Sequence, residues 1–261
     1  MLVSPMSPEQ TNAMTSRHPR LTVAIAVETL KLRGSLALLL AVTAPALIAI
    51  LVFFNLLRME RAIAWDMSLM GSTAIWSYFM LPMSVTALTA LIAHTEHGPR
   101  AWDFLRALPR PRWQIYAAKA IVVLGVVAAM SLLLAGLTFA AIEAAAWIKP
   151  EAAPEGSVAV GRYLAQLGRV FVSAWLLVAI QLWVALRYAS FVPALSLGIG
   201  GTFFAVVATS AKLGVFMPWQ IPVNQLATDP DRAALALAVG GLGGCAALAV
   251  MFWHLSRSEV R

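Results

Sequence analysis

The stretch LALLLAVTAPALIAILVFFNLL, Leu36 to Leu57, contains no charged side chain. A helix rises about 1.5 Å per residue, so about 20 apolar residues cross the hydrocarbon core of a bilayer. The stretch is apolar on every side rather than along one stripe, as a lipid-facing helix is and a soluble amphipathic helix is not. Pro45 and Asn55 are its irregular positions. This reading sets the fold class: a helix that spans a membrane.

Five further stretches read the same way: Leu69 to Ala93, with Pro82 as an expected kink, Ala117 to Ile148, Val170 to Leu186 with a possible extension back to Gly161, Phe191 to Ala211, and Ala233 to Leu255. Ala117 to Ile148 is long enough to tilt or protrude. The expected fold is an all-α integral membrane protein with six transmembrane helices. Composition agrees: 61% of the 261 residues are hydrophobic and 12% are charged, against roughly 25% charged in a soluble domain. The single cysteine, Cys245, excludes an internal disulfide and a cysteine-rich metal site.

Residues 1–20 are polar, with Pro5, Pro8 and Pro19, and read as a disordered tail without the apolar core of a signal peptide. Met14 is an alternative start. Residues 21–261 then form a single six-helix membrane domain. It opens on Leu21 to Gly34, a short amphipathic segment bearing Glu28, Lys31 and Arg33. This segment reads as an interfacial helix, or as an extension of the first span.

The net charge of +7 is gathered at the ends of the apolar runs, which points to membrane topology rather than to nucleic acid. With the amino terminus inside, Arg17, Arg20, Lys31, Arg33, the arginines between 100 and 112, Lys119, Arg187, Arg257 and Arg261 are cytoplasmic. Arg58, Arg61, Lys149, Arg162, Arg169, Lys212 and Arg232 are outside. The first group is larger, so both termini are expected in the cytoplasm of a multi-pass protein of the cell (inner) membrane. Trp65, Trp147 and Trp219 fall near the outer boundary and Trp102, Trp113, Trp183 and Trp253 near the inner one, where indoles gather.

The most informative connection is HTEHGPRAWDFLRALPRPRWQIYAA, His94 to Ala118. Trp102, Leu105 and Arg106 fall at helical spacing, as do Leu105 and Leu108, before Pro109 and Pro111 break the helix. A short helix with an apolar face and a basic rim suits docking on a protein, or anchoring to anionic lipid.

This run resembles the segment after the second span of ATP-binding-cassette (ABC) type-2 permeases, most closely the lantibiotic-immunity and bacitracin-export branch. The resemblance rests on Glu96, the Trp102-Asp103-Phe104-Leu105 helix, Leu108-Pro109-Arg110-Pro111-Arg112 and Lys119. Glu28-x-x-Lys31-x-Arg33 and Pro218-Trp219-x-x-Pro222 fit as well. Ala101 and Asp103 depart from the small hydroxyl and basic residues that the family often has there. The resemblance implies a permease subunit of an ATP-driven exporter with six spans and no ATPase of its own. The chain indeed has no G-x-x-x-x-G-K-[ST] loop. It also implies no cofactor in this chain, with ATP and Mg in a partner. The partners would be two copies of an ABC ATPase, a second permease copy, identical or related, and the lipid bilayer. Residues from about Pro99 to Leu108 would form the coupling helix, with Trp102, Leu105 and Leu108 as anchors and Arg100 and Arg106 as charges. Pro109 would end it, and Glu96 and Arg112 would brace it.

Other residues leave more than one reading open. His94, Glu96 and His97 suit a metal site or a membrane-embedded enzyme, or simply a polar helix end. The chain also fits a structural subunit of a larger membrane complex. Glu143, inside the third apolar run, belongs either to an outer gate or to the headgroup layer. Gly240 and Gly244 form a G-x-x-x-G pair suited to close helix packing, within this chain or against a second permease. The segment Lys212 to Arg232, with Pro218, Trp219 and Pro222, is too broken to span. It resembles an outer re-entrant segment in this family and reads otherwise as an external loop. No ring of charges lines the spans, which favours an apolar or amphipathic cargo: a peptide, an antibiotic or a lipid-like molecule.

Overall fold

The computed structural model describes residues 21–97, 111–208 and 212–257. The fold is built from helices: α1 (Leu21–Leu32), α2 (Leu36–Arg58), α3, α4 (Arg112–Ile148), α5 (Val160–Ser173), α6 (Trp175–Arg187), α7 (Val192–Val207) and α8 (Pro230–Arg257). Helix α3 runs through Trp65–Ile75, a π turn at Trp76–Met80, and Leu81–His97. The π turn directly precedes Pro82, which has no N–H to offer the α ladder.

Among the described residues, five helical stretches are long and apolar enough to cross a membrane: α2, α3, α4, the α5–α6 pair and α8. The stretch expected to run from Phe191 to Ala211 is shorter than anticipated. Its helix covers only Val192–Val207, 16 residues, or about 24 Å against a hydrocarbon core of about 30 Å. Pro193 sits at its start, where a missing N–H is harmless. The fourth stretch is one span in two pieces, bent at Ala174, whose N–H bonds back to Val170 and Phe171.

The sequence explains these joints. Gly34 ends α1 with φ of 72°, a conformation that favours glycine, and the chain turns directly into α2. At the far end of α2, the Lys149 ammonium donates to the carbonyl of Met59 at 2.6 Å, placing a cation where helix carbonyls lack partners. The α2–α3 and α4–α5 links meet there, with Glu155 N–H donating to the Ile63 carbonyl at 3.0 Å.

The core is one large apolar cluster, with a small second cluster around Val215, Ile221 and Ala236. Trp76, Leu134, Ile142, Leu177 and Leu182 are fully buried within the large one. Helix α2 packs along α4, α8 along α5 and α6, and α3 against α6 and α7. Gly240 and Gly244 make the α8 contact possible. A Cβ on Gly240 would lie 2.2 Å from the Ser173 carbonyl oxygen, and one on Gly244 2.7 Å from the Leu176 nitrogen. The face formed by this glycine pair is thus occupied by the α5–α6 bend of the same chain. Trp113, Trp147 and Trp253 are exposed near helix ends. Trp219, read from sequence as an interfacial indole, is instead buried, its ring pressed against Gly201.

Candidate functional site

Three helix ends converge at the end of the bundle that carries α1. One turn of α1 places Glu28 and Lys31 on the same face, and their side chains meet at 2.7 Å. The last turn of α3 supplies Glu96, and the second turn of α4 supplies Lys119. The Lys119 ammonium lies 2.5 Å from Glu96 and 2.9 Å from Glu28, and Lys31 lies 2.9 Å from Glu96. Each cation therefore faces both carboxylates. Lys119 is completely buried and Glu96 nearly so.

Isolated, such ions would each lose several kcal/mol of hydration, roughly, on burial; two opposite charges beside each one offset that loss. Burial works against the Glu28 carboxylate, but Lys119 and Lys31 outweigh it and hold the carboxyl below its ordinary range. Burial likewise opposes the Lys31 ammonium, and the two glutamates outweigh it, raising its pKa. One oxygen of Glu96, Oε2, is buried and bonds to no described residue.

The cluster brackets the connection that sequence reading singled out. Glu96 lies just before it and Lys119 just after it. Arg100, Trp102, Leu105, Arg106, Leu108 and Pro109 themselves lie outside the described residues, as does the side chain of His97. Arg112 is exposed at the first position of α4, and Glu96 turns to lysines rather than to it. His94 is exposed, its ring edge-on to Phe191, while Glu96 faces the cluster interior, so the two point apart. No group of three His, Cys, Asp or Glu able to hold a metal ion occurs among the described residues.

At the opposite end, residues 212–226 form two 3-10 turns that pack against α8 and, through the second turn, α5, while Trp219 and Gln220 between them meet α7. Pro222 and Trp219 are buried and Pro218 partly so. Gln220 donates to the Ala205 carbonyl at 2.8 Å, Asn224 donates to that of Gln220 at 2.8 Å, and Arg232 donates to Asn224 Oδ1 at 2.6 Å. Glu143 is exposed on the flank of α4, about a turn and a half before its end. Sequence reasoning missed one buried polar contact: Gln181 of α6 donates to Thr86 of α3 at 2.6 Å, directly over Gly198 of α7. Its signal was a lone amide in an apolar run beside a helix containing three nearby glycines.

The family model for ABC-2 family transporter proteins matches residues 24–208, from α1 to just past α7. The chain belongs to the ABC-2 transporter family. It is a multi-pass membrane protein and the permease component of an ABC transporter, a family that works with an ABC ATPase. All four residues of the ion cluster fall inside the matched region, so the cluster is part of the ABC-2 fold of this chain. Neither the curated proteins nor the solved structures contain a match.

Proposed function

We propose that this ABC-2 permease is the translocating subunit of an ATP-driven exporter for an apolar or amphipathic cargo, such as a peptide, an antibiotic or a lipid-like molecule. It resembles the lantibiotic-immunity and bacitracin-export branch. The reading places it in the cytoplasmic membrane with both termini inside and α7 as the fifth of six crossings. Two permeases and two separate ATPases, which hold ATP and Mg, make the transporter. The helix from about Pro99 to Leu108 seats in a groove on the ATPase, with Trp102 as its main anchor.

The observation that carries this reading is the Glu28–Lys31–Glu96–Lys119 cluster. It ties α1, α3 and α4 at both roots of the proposed coupling segment. Motion imposed on that segment by the ATPase pair then reaches three helices as one body rather than bending a loose loop. The test is co-purification of the tagged chain with an ABC ATPase from the same cells. Association is expected, with Trp102→Ala weakening it by about 2 kcal/mol, roughly thirtyfold. Absence of any ATPase in the complex, or full association of Trp102→Ala, overturns the reading.

A further inference from the structure

Helix α5 carries a polar stripe on the flank of a membrane span. Arg162, Gln166 and Arg169 fall at positions i, i+4 and i+7, on one face of the helix. Together α5 and α6 are long and apolar enough to cross a bilayer. Arg187, the last residue of α6, follows Arg169 by eighteen positions. That is about 27 Å of helix against a hydrocarbon core of about 30 Å. With Arg187 at one edge of the core, Arg169 stands at the other, level with the lipid phosphates, and Arg162 lies two turns further out, in the headgroup layer.

The two arginines are open to a ligand. Arg169 is exposed and makes no hydrogen bond or ion pair with any described residue. A cation at the edge of the hydrocarbon draws its partners from water and headgroup oxygens when the protein supplies none. Arg162 faces Asp66, in the first turn of α3, at 3.5 Å with both side chains exposed. A well-made charge-assisted contact is shorter, about 2.7 to 2.9 Å. The pair is therefore loose, and most donors of the guanidinium stay unused.

Beside the stripe, a cleft of about 320 Å³ runs between α3, α5 and the Val223–Leu226 turn. Asp66, Arg162 and Gln166 give it charge and polarity, and Leu69, Met70 and Leu226 give it an apolar wall. Gln166 fixes the side formed by the turn, its amide donating to the Gln225 carbonyl at 2.6 Å. Met70 is exposed, so the apolar wall continues onto the outer flank of the bundle.

We propose that this face of α5 and the cleft beside it bind one bilayer phosphatidylethanolamine. Arg162 and Arg169 hold its phosphate, the Asp66 carboxylate accepts from its ammonium, and its acyl chains leave over Met70. The two arginines stand about 10 Å apart along the helix axis, a gap that two such long side chains close around one phosphate. Two cations and one anion match a headgroup that carries a phosphate and a primary ammonium. A purely anionic headgroup has nothing to offer Asp66, and a choline has no N–H to give it. The site is independent of which cargo the transporter exports.

The test titrates the full chain, in an alkyl-glycoside detergent, with phosphatidylethanolamine, phosphatidylcholine and phosphatidylglycerol of identical acyl chains. Bound lipid is counted by native mass spectrometry, and thermal melting confirms that each variant folds. Phosphatidylethanolamine is expected to bind most tightly. Arg162→Gln and Arg169→Gln should each weaken it about tenfold, the order of one hydrogen bond to a charged group. Asp66→Asn should bring phosphatidylethanolamine down to the level of phosphatidylcholine. Arg61→Gln, at an exposed arginine of the α2–α3 link, should change nothing. Unaltered binding by Arg169→Gln, or an equal loss with Arg61→Gln, overturns the site. Tightest binding of phosphatidylglycerol, or equal binding of phosphatidylethanolamine and phosphatidylcholine, overturns the role of Asp66 and with it the choice of lipid. Competition by soluble glycerophosphoethanolamine as effective as that by the lipid overturns a bilayer occupant.

Discussion

Lys119 and Glu96, 23 residues apart in the chain, meet at 2.5 Å with both side chains shut away from solvent. The contact closes the two roots of the 98–110 connection against each other. Replacing Lys119 by Met leaves Glu28 and Glu96 side by side with only Lys31 between them. The expected loss is about 3 to 5 kcal/mol, the usual consequence of stripping one partner from a buried ion pair. Thermal unfolding in detergent measures it. Adding Glu96→Gln should recover part of the loss by removing one of the two stranded charges; a Lys119→Met protein as stable as the parent would refute the cluster's structural role.

The cluster also sets a pH range. Glu28 titrates below its ordinary value of 4.5, so its stabilisation is complete above that value and is lost as pH falls through the lowered one. Lys31 titrates above its ordinary value of 10.5, so its contribution is complete below that value and is lost as pH rises through the raised one. Stability should therefore decline on both the acid and the alkaline side of a broad plateau. Glu28→Gln should lower the plateau and flatten the acid limb. Parallel acid limbs in the two proteins would show that Glu28 does not contribute.

Gly240 tolerates no side chain. A Cβ there would meet the backbone of Ser173, which cannot swing aside as a flexible side chain can. Gly240→Val should destabilise the chain by about 3 kcal/mol or more through overpacking. Gly200→Ala, at an open position on α7, should leave the melting temperature within a degree or two of the parent. Equal effects at the two sites would refute the close approach of α8 to the α5–α6 bend.

Asn224 holds the segment 212–226 together. It donates to the Gln220 carbonyl and accepts from Arg232. Asn224→Ala should loosen this segment locally, with faster amide exchange over 212–226 and little change elsewhere. Uniformly faster exchange throughout α7 and α8 would show that the segment is instead part of the global folding unit.

Much of the fold was legible because the bilayer leaves few options: long apolar runs must become helices, and their ends were marked by charges and prolines. The short α7 was less legible, since the apolar run Phe191 to Ala211 continues past the last helical residue, Val207. Hydropathy registers solubility in lipid and not where a helix stops. Glu28, Lys31, Glu96 and Lys119 stand out in the sequence as helix-end charges and marks of a family resemblance, and Glu96 also as part of a candidate metal site, but not as one cluster. Nothing in a linear pattern says that residues 91 positions apart, Glu28 and Lys119, share a hydrogen bond. The glycine pair was legible as a packing surface, but its neighbour was not, because small residues report closeness without naming what comes close.

The separations within the ion cluster carry a consequence for biogenesis. Glu28 and Lys31 leave the ribosome together and neutralise each other across one helical turn. Glu96 follows 65 residues after Lys31, and Lys119 arrives 91 residues after Glu28. The amino-terminal helix thus carries a locally compensated pair, and the last cation belongs to the third long helix, α4. The cluster is complete only when the helix that carries Lys119 stands beside α1 and the end of α3.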